Sequence, residues 1–186
     1  MSPEDVHVWA AAPTVAAMTF TDALLADGPA TASAELDLYG RFVGRWAVRN
    51  RFRSGPDAPW IESERVWEFA WILGGRAIQD VLVGSDRGDE PVPAGCTVRV
   101  FDAALGAWRI EWFGALNGDF SSQIGRGDGP DRIVQEGVEH AVVGELPSRW
   151  TFSAITPDSF VWDGELSRDG GATWYVEQHM DCTRIV

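Results

Sequence analysis

Residues 150–184 read WTFSAITPDSFVWDGELSRDGGATWYVEQHMDCTR, and this stretch decides the fold. Apolar and polar residues alternate in three short runs within it, and two turn sequences separate these runs. Alternation with a period of two is typical of a β-strand that buries one face. The stretch therefore predicts three antiparallel strands joined by tight turns, at Arg149–Ile155, Phe160–Leu166 and Thr173–Thr183.

The same period of two recurs upstream. Between Arg41 and Arg53, apolar side chains such as Trp46 and Phe52 alternate with arginines, which indicates another strand. Six further runs have the length and the flanking turn residues of strands: Ile61–Trp71, Arg76–Val83, Thr97–Asp102, Trp108–Ala115, Phe120–Gly125 and Arg132–His140. Ten short strands without intervening helices favour an antiparallel meander, and a sheet of that size tends to close. The sequence predicts an all-β protein, a ten-stranded antiparallel up-and-down β-barrel.

The N-terminal segment has a different composition. Residues 1–40 are rich in Ala, Thr and Pro, and short helical patterns fall at Met18–Leu25 and Ser33–Tyr39. We therefore divide the chain into an arm, residues 1–40, and a barrel domain, residues 41–186. The pattern leaves two roles for the arm open, a loose extension or a lid across the barrel.

Composition narrows the classes of partner. The formal net charge of −13 argues against binding to nucleic acid or to anionic membranes. No apolar run approaches the roughly 18 residues of a membrane span, and the acidic start lacks the features of a signal peptide. Cys96 and Cys182 are too few for a disulfide framework. We expect a cytoplasmic protein, either a monomer or a homodimer.

Three groups of residues resemble a known family. Gly44-Arg45-Trp46 resembles the Gly-x-Trp motif of the calycin barrels, which include lipocalins and fatty-acid-binding proteins. The resemblance implies that Trp46 lies at the closed end of the barrel and that Arg184, from the last strand, packs across it. The segments 152–162 and 167–174 further resemble an uncharacterised bacterial calycin-like group, labelled DUF1579-like. This group implies a fold and no particular activity.

The two C-terminal turns carry residues that could be mistaken for catalytic ones. Ser167-x-Asp169-x-Gly171-x-x-Trp174 also fits the Asp-box of sialidase-type propellers, but a propeller repeats that motif and here it occurs once. We interpret Asp169 as a turn residue that binds the local backbone, and Thr156–Ser159 as a turn in which Pro157 presets φ.

The interior of the barrel is predicted from the more apolar face of each strand. The phase of the strand 76–83 is ambiguous, but the other strands give an aromatic lumen that contains eight of the ten tryptophans. The predicted inward residues are Trp46, Val48, Asn50, Phe52, Arg65, Trp67, Phe69, Trp71, Val98, Val100, Trp108, Ile110, Trp112, Phe120, Ile124, Val134, Val138, Trp150, Phe152, Phe160, Trp162, Trp174, Val176, Gln178 and Met180. A barrel of ten strands is wide enough to leave a cavity.

Charged residues in phase with these apolar ones are the candidate site. Arg65 shares a face with three aromatic residues, and Glu136 and His140 share a face with Val134 and Val138. One hypothesis makes Arg65 an anchor for a ligand oxygen, with Glu136 or His140 as general acid or base. The other makes Arg65 and Glu136 an internal ion pair and leaves His140 at a wet strand end.

The sequence thus predicts a barrel that binds a small hydrophobic or aromatic molecule and needs no cofactor or metal. The predicted ligand-binding residues are Arg65, Asn50, Trp67, Phe69, Trp71, Trp112, Trp162 and Gln178. An alternative is a cofactor-independent isomerase, lyase, dehydratase or cyclase that uses acid–base residues of the lumen. A haem-binding barrel is disfavoured, because the phase of His179 is opposite to that of the lumen residues of its strand.

Overall fold

The computed structural model describes residues 19–84, 90–141 and 144–185. Two short helices, α1 (Phe20–Leu24) and α2 (Ala34–Gly40), and a two-residue strand β1 (Leu25–Ala26) precede the barrel. Ten longer strands follow: β2 (Gly44–Phe52), β3 (Ile61–Ile72), β4 (Ala77–Gly84), β5 (Val92–Asp102), β6 (Ala107–Gly114), β7 (Asp119–Gly127), β8 (Ile133–Ala141), β9 (Gly144–Ser153), β10 (Ser159–Leu166) and β11 (Tyr175–Ile185).

Sequential antiparallel pairing closes these strands into a ring. Each strand from β2 to β11 pairs with the next one along the chain, and β11 pairs back onto β2. The prediction of an antiparallel, up-and-down barrel of ten strands is therefore confirmed. Because the strands follow one another around the ring, β3 and β8 stand opposite each other across the lumen.

The closed end of the barrel is built around Trp46. Its ring is fully buried, its indole N–H donates to the Phe42 carbonyl at 2.7 Å, and the Arg184 guanidinium lies 4.1 Å from the ring centroid. Gly44 has a φ of 123°, and a Cβ at that position would come within 2.8 Å of Arg184 Nη1. The Gly-x-Trp spacing thus leaves room for the guanidinium, and the predicted contact between Arg184 and Trp46 is present.

Helix α2 packs into this same end. Tyr39 is fully buried, accepts a hydrogen bond from Gln135 Nε2 at 2.9 Å, and packs edge-on against Trp108 with centroids 5.0 Å apart. Trp108 Nε1 in turn donates to the Glu35 carbonyl at 3.2 Å. The segment Thr19–Gly40, which we assigned to the arm from the sequence, therefore contributes residues such as Tyr39 to the core of the barrel.

Aromatic rings fill the lumen next to α2. The ring of Phe42 lies 4.7 Å from that of Phe152, 4.9 Å from that of Phe160 and 5.8 Å from that of Phe69. Trp71 is also buried here, with its ring directly over Gly40. This half of the barrel is a packed core, so any cavity must lie in the other half.

Three strands turn their more polar face inward, contrary to the prediction. On β5, Arg99 is buried and Val100 is 42% exposed; on β7, Gln123 is buried and Phe120 is 45% exposed; on β8, Gln135 is fully buried. The apolar residues predicted to face inward on these strands lie on the outer face: Val98, Val100, Phe120, Ile124, Val134 and Val138. The prediction was wrong because it took the more apolar face as the inner one, and this wall of the barrel holds polar side chains inside.

A β-bulge changes the phase of the last strand. Gly164 pairs with Gln178 and Glu165 pairs with Val176, so Glu177 is an extra residue on β11. The bulge reverses the orientation of the residues before it. Trp174 consequently stacks outside the lumen against Arg149, whose guanidinium lies 4.3 Å from its ring, and Val176 also faces outward. Their predicted inward orientation was wrong for this reason.

Two further features of the described residues bear on the sequence predictions. Cys96 and Cys182 are both free thiols. Among the described residues, no helix has the length and apolar character needed to cross a membrane.

Candidate functional site

A cavity of about 480 Å³ occupies the half of the barrel away from α2. Four tryptophans form much of its wall: Trp67, Trp112, Trp150 and Trp162. The other apolar residues that line it are Phe52, Leu82, Ala94, Leu166 and Met180. Asn117, between β6 and β7, and Asp119, the first residue of β7, also line the cavity, so it extends to this end of the barrel.

Five of the eight predicted ligand-binding residues line this cavity: Arg65, Trp67, Trp112, Trp162 and Gln178. Asn50 lies beside them, because its side chain accepts a hydrogen bond from Gln178 Nε2 at 2.7 Å and donates one to Ser63 Oγ at 3.0 Å. Phe69 and Trp71 belong to the packed end instead. Neither ring lines the cavity, so the structure does not bring these two residues together with the other predicted ligand-binding residues.

The predicted acid–base residues Glu136 and His140 lie on the outer face of β8. The Glu136 side chain is 65% exposed and accepts a hydrogen bond from Arg149 Nε at 3.2 Å. The His140 side chain is 42% exposed, 3.4 Å from Glu145 and 3.2 Å from Ser122 Oγ. The hypothesis that placed both in the lumen was wrong, because β8 turns its polar and glycine face inward, whereas the exposed position of His140 agrees with the alternative that put it at a wet strand end. The predicted internal pair of Arg65 with Glu136 is also absent.

An internal ion pair does exist, between Asp80 of β4 and Arg99 of β5. Both side chains are almost completely buried, and Asp80 Oδ1 also accepts the Thr97 backbone N–H at 3.3 Å. The guanidinium of Arg99 packs over the rings of Tyr39 and Phe69, at 5.3 and 5.5 Å from their centroids. Arg99 and Thr97 both line the cavity, so the pair lies at the boundary between cavity and packed core.

The sequence analysis missed this pair because it assigned the wrong phase to β5 and none to β4. One signal could have revealed it. Asp80 pairs in register with Thr97, which places Asp80 and Arg99 diagonally across neighbouring strands on one face. Opposite charges at diagonal positions on adjacent candidate strands indicate an internal pair, since a buried charge needs a partner.

Three carboxylates line the open part of the cavity: Asp119, Glu139 and Glu177. Asp119 accepts a hydrogen bond from the indole N–H of Trp112 at 2.6 Å. Burial raises the pKa of Glu139, and the negative charge of Asp119 adds to the effect. Burial, followed by the charge of Glu139, raises the pKa of Glu177 to about 7. These shifts show that the carboxyl groups interact with one another within the cavity.

Two indole N–H groups at the cavity wall are buried and have no acceptor among the described residues. They belong to Trp67 and Trp162, which are 4% and 7% exposed and whose rings meet edge-on with centroids 6.2 Å apart. A buried donor without an acceptor costs roughly 1–3 kcal/mol. A ligand oxygen or a water within reach of these groups would remove that cost.

Neither described histidine lines the cavity. His179 Nδ1 lies 2.7 Å from Asp163 and its Nε2 lies 3.4 Å from Asp181, both on the outer side of the barrel. His140 is also outside, and His7 lies outside the described residues. Within residues 19–84, 90–141 and 144–185, no group of three or more His, Cys, Asp or Glu side chains is arranged to hold a metal ion.

Comparison with known proteins identifies the fold of this chain but does not assign the chain to a family. No protein-family model matches the chain. No curated protein matches its sequence. The resemblance to the DUF1579-like group therefore remains a prediction.

Solved structures share the barrel. The protein Rv2717c from M. tuberculosis superposes with a TM-score of 0.59 over 84% of this chain and 100% of its own, at 14% identity. An S-type phycobiliprotein lyase from Guillardia theta superposes with a TM-score of 0.57 over 84% of this chain and 95% of its own, at 13% identity. This chain is similar to both in its ten-stranded barrel, and identities this low relate them by fold alone.

Proposed function

We propose that this protein binds a small, flat aromatic molecule inside the barrel. The observation that carries the proposal is the cavity of about 480 Å³ whose wall includes four tryptophan rings. Pockets for small molecules typically measure about 300–1,000 Å³ and combine apolar walls with a few polar groups. The protein would then belong with the calycin-like barrels that hold a ligand in their lumen.

The composition of the wall favours an aromatic ligand over a flexible aliphatic one. Trp67 and Trp162 already meet edge-on, and Trp150 packs against Trp162 with centroids 5.7 Å apart. Indole faces attract other flat rings through offset stacking and edge contacts, worth about 0.5–1.5 kcal/mol beyond the area buried.

A matched pair of variants tests this proposal. The probe is the uncharged dye 2-[4-(dimethylamino)phenyl]-6-methylbenzothiazole, whose fluorescence reports its transfer from water to a rigid apolar site. Ser121 lines the cavity, whereas Ser122 of the same strand faces outward and binds Glu111 at 2.7 Å. We expect Ser121→Phe to fill the cavity and weaken dye binding by on the order of tenfold or more, and Ser122→Phe to leave it unchanged. Equal affinity in both variants would exclude the lumen as the binding site.

A second candidate function is acid–base catalysis by Glu177. The observation that favours it is the pKa of about 7, which leaves this carboxyl group ready to accept or release a proton near neutral pH within an apolar cavity. Glu177 takes the role that the sequence assigned to Glu136 and His140. The structural neighbour from Guillardia theta is a lyase, so one barrel of this shape has an enzymatic role.

Ring opening of 5-nitrobenzisoxazole tests this candidate without knowledge of the substrate. A base removes the proton at C3, the electron pair forms the nitrile, and the N–O bond breaks to give a coloured phenolate. If Glu177 is an accessible base, the rate rises with pH through about 7 and is lost in Glu177→Gln. A rate equal in wild type and Glu177→Gln would remove Glu177 as a base for an enclosed aromatic substrate.

A further inference from the structure

We propose that the preferred ligand of the cavity is a flat aromatic cation, with its positive charge placed between Glu139 and Glu177. This inference rests on the proposed function and narrows it to a class of ligand. An aromatic amine, amidine or ring-quaternised heterocycle has this chemistry.

The charges at the cavity do not balance. Arg99 is paired with Asp80, and Glu165, which also lines the cavity, lies 3.7 Å from Arg149. The remaining carboxylates are Asp119 on β7, Glu139 on β8 and Glu177 on β11. A cavity with this excess of negative charge favours a cation over an anion, and the low dielectric of the interior strengthens the preference.

The remaining cavity cation, Arg65, stands away from Glu139. It belongs to β3, opposite β8 in the ring, and its side-chain stem packs over Gly84 of β4, where a Cβ would come within 2.6 Å of Arg65 Cγ. Arg65 and Glu139 therefore lie on opposite walls of the cavity. A ligand cation held near Glu139 would be away from the guanidinium of Arg65.

The tryptophan rings of the cavity wall suit a delocalised cation. The rings of Trp112 and Trp150 line the same cavity as Glu139 and Glu177. The faces of indole rings attract cations, at about 0.5–2 kcal/mol per contact according to how far the cation is desolvated.

The proposal implies that ligand binding and proton release are coupled. Burial is the largest cause of the raised pKa of Glu177; the charges of Glu139 on β8 and Asp119 on β7 raise this pKa further, and the charge of Arg168 in the preceding turn lowers it. Tyr175 of the same strand adjoins it, while Arg65, Arg99 and Glu165 line other parts of the cavity. Because the pKa of Glu177 is raised to about 7, a bound cation should favour its ionised form and cause the release of a proton near neutral pH.

The test compares two dyes of nearly the same shape. Thioflavin T is a benzothiazolium cation, and its analogue without the ring N-methyl group is the neutral dye described above. In wild type we expect the cation to bind about tenfold more tightly than the neutral dye at pH 8, and less of this preference to remain at pH 6. 1-Anilinonaphthalene-8-sulfonate, an aromatic anion, should bind more weakly than either dye.

Two double variants isolate the carboxylates. Glu139→Gln with Glu177→Gln removes two charges inside the cavity, and Glu62→Gln with Glu64→Gln removes two from the exposed outer face of β3. We expect the first pair to abolish the preference for the cation while the neutral dye still binds, and the second pair to retain the preference. The pH dependence in wild type needs no variant and therefore does not depend on how well the variants fold.

The outcomes separate this inference from the proposed function. Three results would overturn the cation proposal: equal affinity for both dyes, tighter binding of the anion, or the same loss of preference in both double variants. In each case, binding of the neutral dye would still support an aromatic site. Failure of every dye to bind would overturn the aromatic site itself.

Discussion

At the scale of single residues, the polar side chains of the lumen distinguish this barrel from a simple apolar container. The buried pair of Asp80 with Arg99 ties β4 to β5 beside the cavity. Burial raises the pKa values of Glu139 and Glu177, and the charge of Glu139 raises the pKa of Glu177 further. Charges of like sign in an apolar cavity destabilise the free protein at neutral pH, and a ligand that neutralises them would restore stability.

Glu177 should make stability fall as pH rises. Its pKa lies near 7 in the folded protein against 4.5 for an ordinary glutamate, so between these values the folded state holds more protons than the unfolded one. We expect Glu177→Gln to match wild type near pH 5 and to exceed it at pH 8 by about 1–2 kcal/mol in the free energy of unfolding, after allowance for partial exposure. Denaturant unfolding at both pH values measures this difference.

The exposed Glu62 provides the control for this prediction. Glu62→Gln should follow the wild-type stability profile at every pH, because its carboxyl group lies on the outer face of β3. Parallel profiles of Glu177→Gln and wild type would contradict a raised pKa at Glu177.

At the scale of secondary-structure elements, the two ends of the barrel differ in how their interior is filled. The end at α2 is packed with aromatic rings and held by Arg184, which donates to the carbonyls of Pro157, Val43 and Arg41 at 2.7, 3.0 and 2.8 Å. The other end contains the cavity and the bulge that turns Glu177 inward. The packed end thus holds the strands together, while the other end contains the cavity.

Arg184 should therefore contribute strongly to stability. Arg184→Met removes one cation–π contact and three hydrogen bonds to carbonyls, and we expect it to lower the free energy of unfolding by about 2–4 kcal/mol. Arg49→Met is the control, since Arg49 is 81% exposed and makes an ion pair at 3.5 Å with Asp181, worth about 0–1 kcal/mol. Equal losses in the two variants, measured by denaturant unfolding, would show that Arg184 does not secure the closed end.

Element positions were predictable from the sequence, and side-chain orientation only in part. Alternation located all ten strands of the ring because turn residues bound each one. Orientation was correct where the inner face is aromatic, as at Trp67 and Trp162, and wrong on β5, β7 and β8, whose inner faces carry Arg99, Gln123 and Gln135. The bulge at Glu177 leaves no signal in the alternation, so the position of that carboxyl group in the cavity could not be predicted.

At the scale of the whole molecule, the barrel presents two apolar surfaces that could attract an aromatic compound. One is the cavity lined by Trp112, Trp150 and other tryptophans. The other is an outer patch where Phe113 and Phe120 are 46% and 45% exposed and pack edge-on with centroids 6.5 Å apart. The cavity surrounds a ligand on several sides and buries more of its surface, so we expect it to bind more tightly.

The most direct test of the central claim is a crystal structure of the protein with the neutral benzothiazole dye. The account predicts difference density for the dye inside the barrel, in contact with the rings of Trp112, Trp150 and Trp162. Density for the dye at Phe113 and Phe120 on the outer surface, with the cavity holding only water, would contradict it.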